Sequence, residues 1–287
     1  MSVTPEVYAF LSDLLKKNSG LSLGTGKEYL IEGRLPPVAT TFGLSGIDAL
    51  VQRLRGMPDP KLLKAVCDAM TTGETLFFRD GGPFDAFRDR LLPEAAQRAR
   101  TARRPLRLWV AATSTGQEVY SLLMLVAQAG AVMDGVRLEL VATDYCTASL
   151  DRARLGTYNQ FEVQRGLPVQ LLVKYFQPVP QGYQVIPALR EQPRFSEQNL
   201  LRPFTNLGMF DIVFIRNVLI YFDVPDKADV LSRIARQLHP GGVVVLGGTE
   251  SILGITDALV RLEGYPAPVY ARTGDPAARV EGKRSAA

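Results

Sequence analysis

Short amphipathic repeats fill the first quarter of the chain, and strand-length apolar runs fill the rest. Pro5 to Lys17, Lys27 to Thr40, Ile47 to Arg55 and Pro60 to Ala69 each carry apolar residues at helical spacing, separated by joints such as Leu23-Gly24-Thr25-Gly26. No segment there alternates cleanly, so residues 1–75 are expected to form an all-helical N-terminal domain. Residues 76–104 read as a linking segment, with a helix over Phe84 to Arg100. From Pro105 the pattern changes. Leu106 to Ala112 has the apolar density of a buried parallel strand, and Glu118 to Gln128 follows as a helix with Val119, Leu122, Leu123, Leu125 and Val126 turned inward. Val136 to Ala142 and Asp211 to Ile215 read as further strands, as does Val243 to Leu246; Ala148 to Arg154 and Asp226 to Leu238 read as helices. This alternation predicts an α/β, Rossmann-like, mostly parallel sheet over residues 105–273. One proline-rich stretch, about 177–195, interrupts it; Tyr183 to Ile186 and Pro193 to Phe195 are its strand candidates, and a small β-ribbon insertion suits it better than a crossover helix. Residues 274–287 lose periodicity and read as a flexible tail.

Chemistry gathers where these strands end. Thr113-Ser114-Thr115-Gly116 breaks the first strand, and the second closes on Thr143-Asp144. Backbone can approach a ligand at Gly116, and a carboxylate at Asp144 can accept two hydrogen bonds from ribose hydroxyls. Only one glycine lies in the turn, so the GxGxxG cradle for a pyrophosphate is missing. That points away from NAD and towards a nucleoside without a diphosphate, such as S-adenosylmethionine. Further clusters lie at Thr71 to Asp80, Asn199-Leu200-Leu201 and Arg216 to Asp223. Each has a plainer reading. Phe77, Phe78, Tyr221 and Phe222 can be core aromatics, Asp144 can cap the helix that follows it, and Glu118 can answer a helix dipole.

Composition narrows the field. With 287 residues, 46% of them hydrophobic, the chain can bury a sizeable core. His239 is its one histidine, which removes histidine-rich metal sites and histidine-based triads; no metal is expected. It precedes Pro240-Gly241-Gly242 where a helix ends, so a capping role is expected. Cys67 and Cys146 are expected to be reduced thiols. No apolar run spans a membrane, and the opening residues lack a basic stretch followed by an apolar one, so a cytoplasmic protein without direct membrane insertion is expected. A net charge of +4 is modest, and the basic run Arg98, Arg100, Arg103, Arg104 has no interleaved aromatics, so no nucleic-acid partner is expected.

The wording of these clusters, with Ala142-Thr143-Asp144, Arg165-Gly166-Leu167-Pro168 and Leu238 to Ser251, resembles the CheR-type chemotaxis protein-glutamate O-methyltransferases from the N-terminal helices to about Tyr270. The resemblance implies a class I S-adenosylmethionine-dependent methyltransferase fold, with S-adenosyl-L-homocysteine as product. It implies a cofactor site made of Gly73, Thr75, Arg79, Ala111, Gln117, Glu118, Asp144, Asn199, Leu200, Arg216 and Asn217. Tyr221 would stand beside the transferred methyl group and Arg79 near the methionyl carboxylate, both as catalytic residues, with Arg88, Arg90 and Arg98 open as alternatives for a further arginine. The implied partner is the cytoplasmic domain of methyl-accepting chemoreceptors, met by a basic helical face carrying Lys27, Arg34, Arg53 and Arg55. The compact ribbon, whose one glycine is Gly182, implies a pentapeptide-independent member; separately, a monomer is expected. Four positions depart from the family wording: Gly73 replaces an asparagine, Gln117 a carboxylate, Val119 a proline, and Gly248 a histidine. These departures predict weakened cofactor binding, and they motivate a second reading, a SAM- or SAH-binding receptor-docking scaffold with little or no activity.

Overall fold

In the computed structural model, which describes residues 3–56 and 59–275, each predicted helix of the first segment forms. Helix α1 (Pro5–Ser19) starts where the Thr4 side chain accepts the Val7 N–H, with Pro5 in its first turn, and ends at Gly20 in the left-handed region. Helix α2 (Glu28–Thr41) runs through Pro36 and Pro37, because Ile31, Leu35 and Ala39 bury one face of it. Helix α3 (Ile47–Gly56) and helix α4 (Pro60–Met70), capped by Asp59, complete a small core around Leu11, Leu35, Leu50 and Val66. Of the four basic residues expected to face a partner, Arg34 instead turns in and donates to Met70 O at 2.8 Å. Arg55 pairs with Glu6 at 2.9 Å and Arg53 lies 3.9 Å from Asp59, so the helical face carries less free positive charge than its sequence suggests.

The expected linking helix is broken in two. Helix α5 (Gly82–Ala86) passes through a π-turn at Phe87–Leu91 into α6 (Leu92–Thr101). Pro93 has no N–H to give to the preceding turn, and widening that turn accommodates the loss. Then come β1 (Leu106–Ala111), α7 (Gln117–Gln128), β2 (Leu138–Asp144), α8 (Thr147–Leu155), β3 (Thr157–Tyr158), α9 (Gln160–Gln164) and α10 (Val169–Tyr175). After them lie β4 (Phe176–Val179), β5 (Gly182–Val185), α11 (Pro187–Arg190), β6 (Arg194–Glu197), β7 (Phe210–Ile215), α12 (Val224–Arg236), β8 (Leu238–Leu246), β9 (Leu259–Leu262) and β10 (Val269–Arg272).

The main sheet has the order β6-β2-β1-β7-β8-β10-β9. Its first five strands are parallel, and β10 and β9 add antiparallel. The strand residues Arg194 and Phe195, expected in the ribbon, belong here, pairing with Val141 and Ala142 of β2. The ribbon is instead β3-β5-β4, and its third strand comes from Thr157 and Tyr158, too short for any periodicity to reveal. His239 lies at the start of β8 rather than in a helix cap. Its register slips past β7 there, because Gly241 and Gly242 let the backbone bulge. Burial and the nearby Arg104 hold its imidazole below the ordinary value. Of the expected tail, residues 276–287 lie outside the described residues, whereas Asp275 is buried and accepts the Gly241 N–H at 2.9 Å.

Asp211, wholly buried at the start of β7, accepts both terminal nitrogens of Arg104 at 2.7 Å and the Arg107 N–H at 2.9 Å. This fork fixes how the linking helix enters the sheet. Arg104→Met leaves a buried carboxylate with its charge unanswered and is expected to cost about 3 kcal/mol of folding stability, read as a lower midpoint in chemical denaturation.

Candidate active site

Parallel strands deliver their carboxyl ends to one edge, and β1, β2 and β7 open there onto a cleft of about 1010 Å³ whose opposite wall is the helical segment. The loops around it are strained. Phe78, Asp80, Ala112, Ser114 and Asn217 are non-glycine residues at positive φ, and all sit in the turns that bound this cleft. At Gly116 (φ 94°) a Cβ would lie 2.9 Å from Ala153 Cβ, so α7 could not pack so close with any other residue.

The cleft gathers most of the expected residues: Gly73, Thr75 and Arg79 on one side, Glu118 and Asp144 behind them, and Asn199, Leu200, Arg216, Asn217 and Tyr221 on the other. Two expected residues stay outside. Ala111 packs into the core with Trp109 on the alternate face of β1, and it is Ala112 that reaches the cleft. Gln117 is buried with its carbonyl oxygen accepting from Thr115 Oγ1 at 2.8 Å. Its exchange for a carboxylate therefore removes no contact from the cleft. Arg88, Arg90 and Arg98 also stand away from it. Arg88 pairs with Asp85 and Asp89, Arg90 lies over the Tyr265 ring, and Arg98 packs on Gly241.

Asp144 is buried at the tip of β2. One carboxylate oxygen accepts Ser114 N–H at 2.7 Å and the other Cys146 N–H at 2.8 Å. Each oxygen keeps a free lone pair towards the cleft. The capping alternative is half right: Asp144 serves residue 146, but α8 starts later without a side-chain cap. Ser114 Oγ donates to Gly73 O at 2.8 Å, which ties the helical side to the β1 turn.

Arg216, its side chain 1% exposed, extends from the end of β7. It donates to Glu118 at the start of α7, to Arg79 O at 2.7 Å and to Asp80 at 2.8 Å. Arg216 thus holds the turn that carries Arg79. Asn199 is also committed to structure, donating to Asn18 O at 2.6 Å and accepting Leu201 N–H at 2.9 Å. Glu250 was not among the expected residues. It is buried and accepts the N–H groups of Asn217, Leu219 and Gly247 at 2.8–2.9 Å, which sets the loop leading to Tyr221. A side chain at Gly247 would meet this carboxylate at 2.8 Å, whereas Gly248 faces open space, so the missing histidine does not disturb the turn. The Gly-Gly-Thr-Glu-Ser wording marked this turn, but only long-range pairing shows what Glu250 does. Tyr145 and Phe222, each adjacent to an expected residue, line the cleft as well.

Arg216 Nε and Thr113 Oγ1 are buried without a partner, and the Tyr221 hydroxyl has none among the described residues. Guanidinium and hydroxyl donors at one side and the Asp144 carboxylate at the other suit a ligand with a carboxylate at one end and ribose hydroxyls at the other. S-adenosylmethionine fits that description. Among the described residues no cluster of three or more His, Cys, Asp or Glu side chains could hold a metal.

A Rossmann-like sheet with an acid ending its second strand, a cleft of this composition and an added helical segment define a SAM-dependent methyltransferase. The chain belongs to the CheR methyltransferase family: the family's SAM-binding domain matches residues 73–265 and its all-alpha domain residues 6–71. It is 36% identical over 273 residues to chemotaxis protein methyltransferase 1 of Vibrio cholerae, covering 94% of this chain and 98% of that protein. It is 38% identical to chemotaxis protein methyltransferase Cher2 of Pseudomonas putida, covering 89% and 94%. It is 38% identical to chemotaxis protein methyltransferase 1 of Pseudomonas aeruginosa, covering 94% and 99%. Its methyl donor is S-adenosylmethionine, and its activity is of the chemotaxis type.

Burial pushes the Asp144 carboxyl above its ordinary value, partly offset by the Cys146 and Ser114 N–H groups. Burial also raises Glu118, against the pull of Arg216. A ligand that needs ionised Asp144 is expected to bind more weakly as pH falls through this raised value. Folding stability moves the opposite way, because the folded protein binds that proton more readily than the unfolded chain does. Calorimetric titration of S-adenosylhomocysteine, with denaturation run at each pH, checks both trends; affinity that stays flat down to the ordinary carboxylate range contradicts the first.

Proposed function

We propose that this chain transfers the methyl group of S-adenosylmethionine to glutamate side chains of a chemoreceptor's cytoplasmic domain, giving glutamyl methyl esters. The observation that carries this reading is the meeting of Asp144, Arg79, Arg216 and Tyr221 in one cleft within the segment that matches the family's SAM-binding domain. Bound there, the cofactor supplies an electrophilic methyl group on a sulfonium. Asp144 holds the ribose hydroxyls. Arg79, kept in place by Arg216, answers the methionyl carboxylate with charge-assisted hydrogen bonds. Gly73, Thr75, Glu118, Leu200 and Asn217 shape the walls, and Asn199 acts through the backbone it secures.

The acceptor needs little activation. A glutamate side chain has a reference pKa of about 4.3 and is already an anionic nucleophile at neutral pH. No general base is required, in keeping with a cleft without histidine. What the protein provides is alignment and exclusion of water. Tyr221, between the helical segment and the sheet core, has its hydroxyl free to orient the acceptor carboxylate. The turn of the ribbon holds only Pro180 and Gln181 between β4 and β5, without the longer glycine-containing loop of pentapeptide-binding members. This supports a receptor contact that does not need the pentapeptide. No helix among the described residues is long and apolar enough to cross a membrane. The docking-scaffold reading loses its main support, since Gln117 and Gly248 take nothing from the cleft.

Two variants separate binding from transfer. Asp144→Ala should weaken S-adenosylhomocysteine by more than roughly thirtyfold in calorimetry, because it removes two hydrogen bonds to a charged acceptor. Tyr221→Phe should keep that affinity and slow labelling of receptor fragments by methyl-tritiated cofactor about tenfold to a hundredfold. Unchanged turnover in Tyr221→Phe removes the tyrosine from the mechanism.

A further inference from the structure

Helix α4 belongs to the helical segment, yet one of its lysines reaches the far end of the cleft. Lys64 Nζ donates to the backbone carbonyl of Tyr145 at 2.7 Å and to Asp68 at 2.5 Å, and lies 3.5 Å from Glu197 at the end of β6. It also sits over the Tyr145 ring, 4.4 Å from its centroid. Tyr145 directly follows Asp144 and lines the cleft. Asp144 in turn accepts the N–H of Cys146, the next residue on. Lys64 therefore grips, by backbone and by ring, the middle residue of the turn that shapes the ribose-binding carboxylate. Its own side chain is about three-quarters buried (26% exposed) and does not line the cleft.

We infer that Lys64 is a positioning residue for the nucleoside end of the cofactor, coupling helix α4 to affinity for adenosine without touching it. This rests on the reading of Asp144 as the ribose-binding group. The chemistry supports it from two directions. An ammonium hydrogen bond to a carbonyl is of the stronger, charge-assisted kind, and this one crosses between segments far apart in sequence. The cation also stands among Asp68, Glu197 and Asp144, and Coulombic pairing with Lys64 favours the ionised form of Asp144, which Asp68 opposes. Without Lys64, the charge of Asp68 would act on the ribose-binding carboxylate with no cation to offset it, and Tyr145 would lose the ammonium at its carbonyl and ring while keeping its side-chain hydrogen bond with Cys67. The effect is confined to one end, because Arg79 and Arg216, at the methionyl end, make no contact with Lys64.

The test compares Lys64→Met, Lys64→Arg and Lys61→Met with the wild type. Lys61 lies on the exposed face of α4 and controls for loss of one positive charge. S-adenosylhomocysteine and 5′-methylthioadenosine, which has the nucleoside but no carboxylate, are titrated calorimetrically, and the melting temperature of each ligand-free variant is recorded. Lys64→Met is expected to weaken both ligands by the same factor, about tenfold. Lys64→Arg should recover most of that loss, and Lys61→Met should bind as the wild type does. Unchanged affinity in Lys64→Met overturns the inference while leaving the Asp144 reading intact. Equal weakening in Lys61→Met, or weakening of S-adenosylhomocysteine alone, overturns it too. If Asp144→Ala binds both ligands like the wild type, the reading beneath it falls and the inference falls with it.

Discussion

A guanidinium sunk into a protein has to be surrounded by acceptors, and Arg216 is the point where this chain meets that demand. Its partners come from two distant places in sequence: Glu118 in the first turn of α7, and the turn that supplies the Arg79 carbonyl and the Asp80 carboxylate. Breaking such a buried set by removing one partner costs several kcal/mol, so the three segments stay together. The ring of Phe84 lies beneath, 5.4 Å from the guanidinium carbon, and closes the remaining side. The loop carrying Arg79 has no sheet or helix hydrogen bonds of its own to define it. The Phe78 N–H donates to Ser121 Oγ at 3.1 Å, and Arg216 secures the residues that follow.

The same device recurs with the opposite sign. Asp144 collects backbone N–H groups from two turns and Glu250 collects them from two others. A hydrogen bond to a charged group contributes roughly 1.5–3 kcal/mol, and a residue held in a sparsely populated backbone region costs about 1–3 kcal/mol. These magnitudes are alike, which is why Ser114 and Asn217 can remain at positive φ beside those carboxylates. Strained turns and buried charges thus offset one another, and the cleft is rigid where it would hold the cofactor.

How much of this could be read from the chain follows from how local each cause is. Strand β1 is legible because both its faces are largely buried, leaving an apolar run that only Arg107 interrupts. Asp144 is legible because it ends a strand that patterning marks, whereas Arg79 and Tyr221 stand out only through the family resemblance. Strand β6 is legible as a strand but not in its place: only its pairing with β2 puts Arg194 and Phe195 in the main sheet rather than the ribbon. Strands β9 and β10 are four residues each, split by a proline-containing turn, and antiparallel at the sheet edge, so no pattern in the sequence marks them. The inward turn of Gln117 depends on the rotation of α7 about its axis, which a glycine turn sets and a motif cannot state. Glu250 acts on a loop about thirty residues away, beyond the reach of any local pattern.

Where the two segments meet, the fit is close. Gly20 ends α1 with φ 78°, and a Cβ there would fall 2.6 Å from the Phe222 ring. Ser22 N–H reaches Tyr221 O at 2.9 Å across the same boundary. The cleft is therefore shared property: Ser19 and Leu21 close it from one segment, Asp144 and Arg216 from the other. Such a seam limits modular inheritance. A helical segment borrowed from another member would bring its own outer surface with it, but it would still have to end α1 on a residue with no side chain and meet Phe222 at the same depth. The two segments can diverge freely on their outer faces, while along this line a change on one side calls for a matching change on the other.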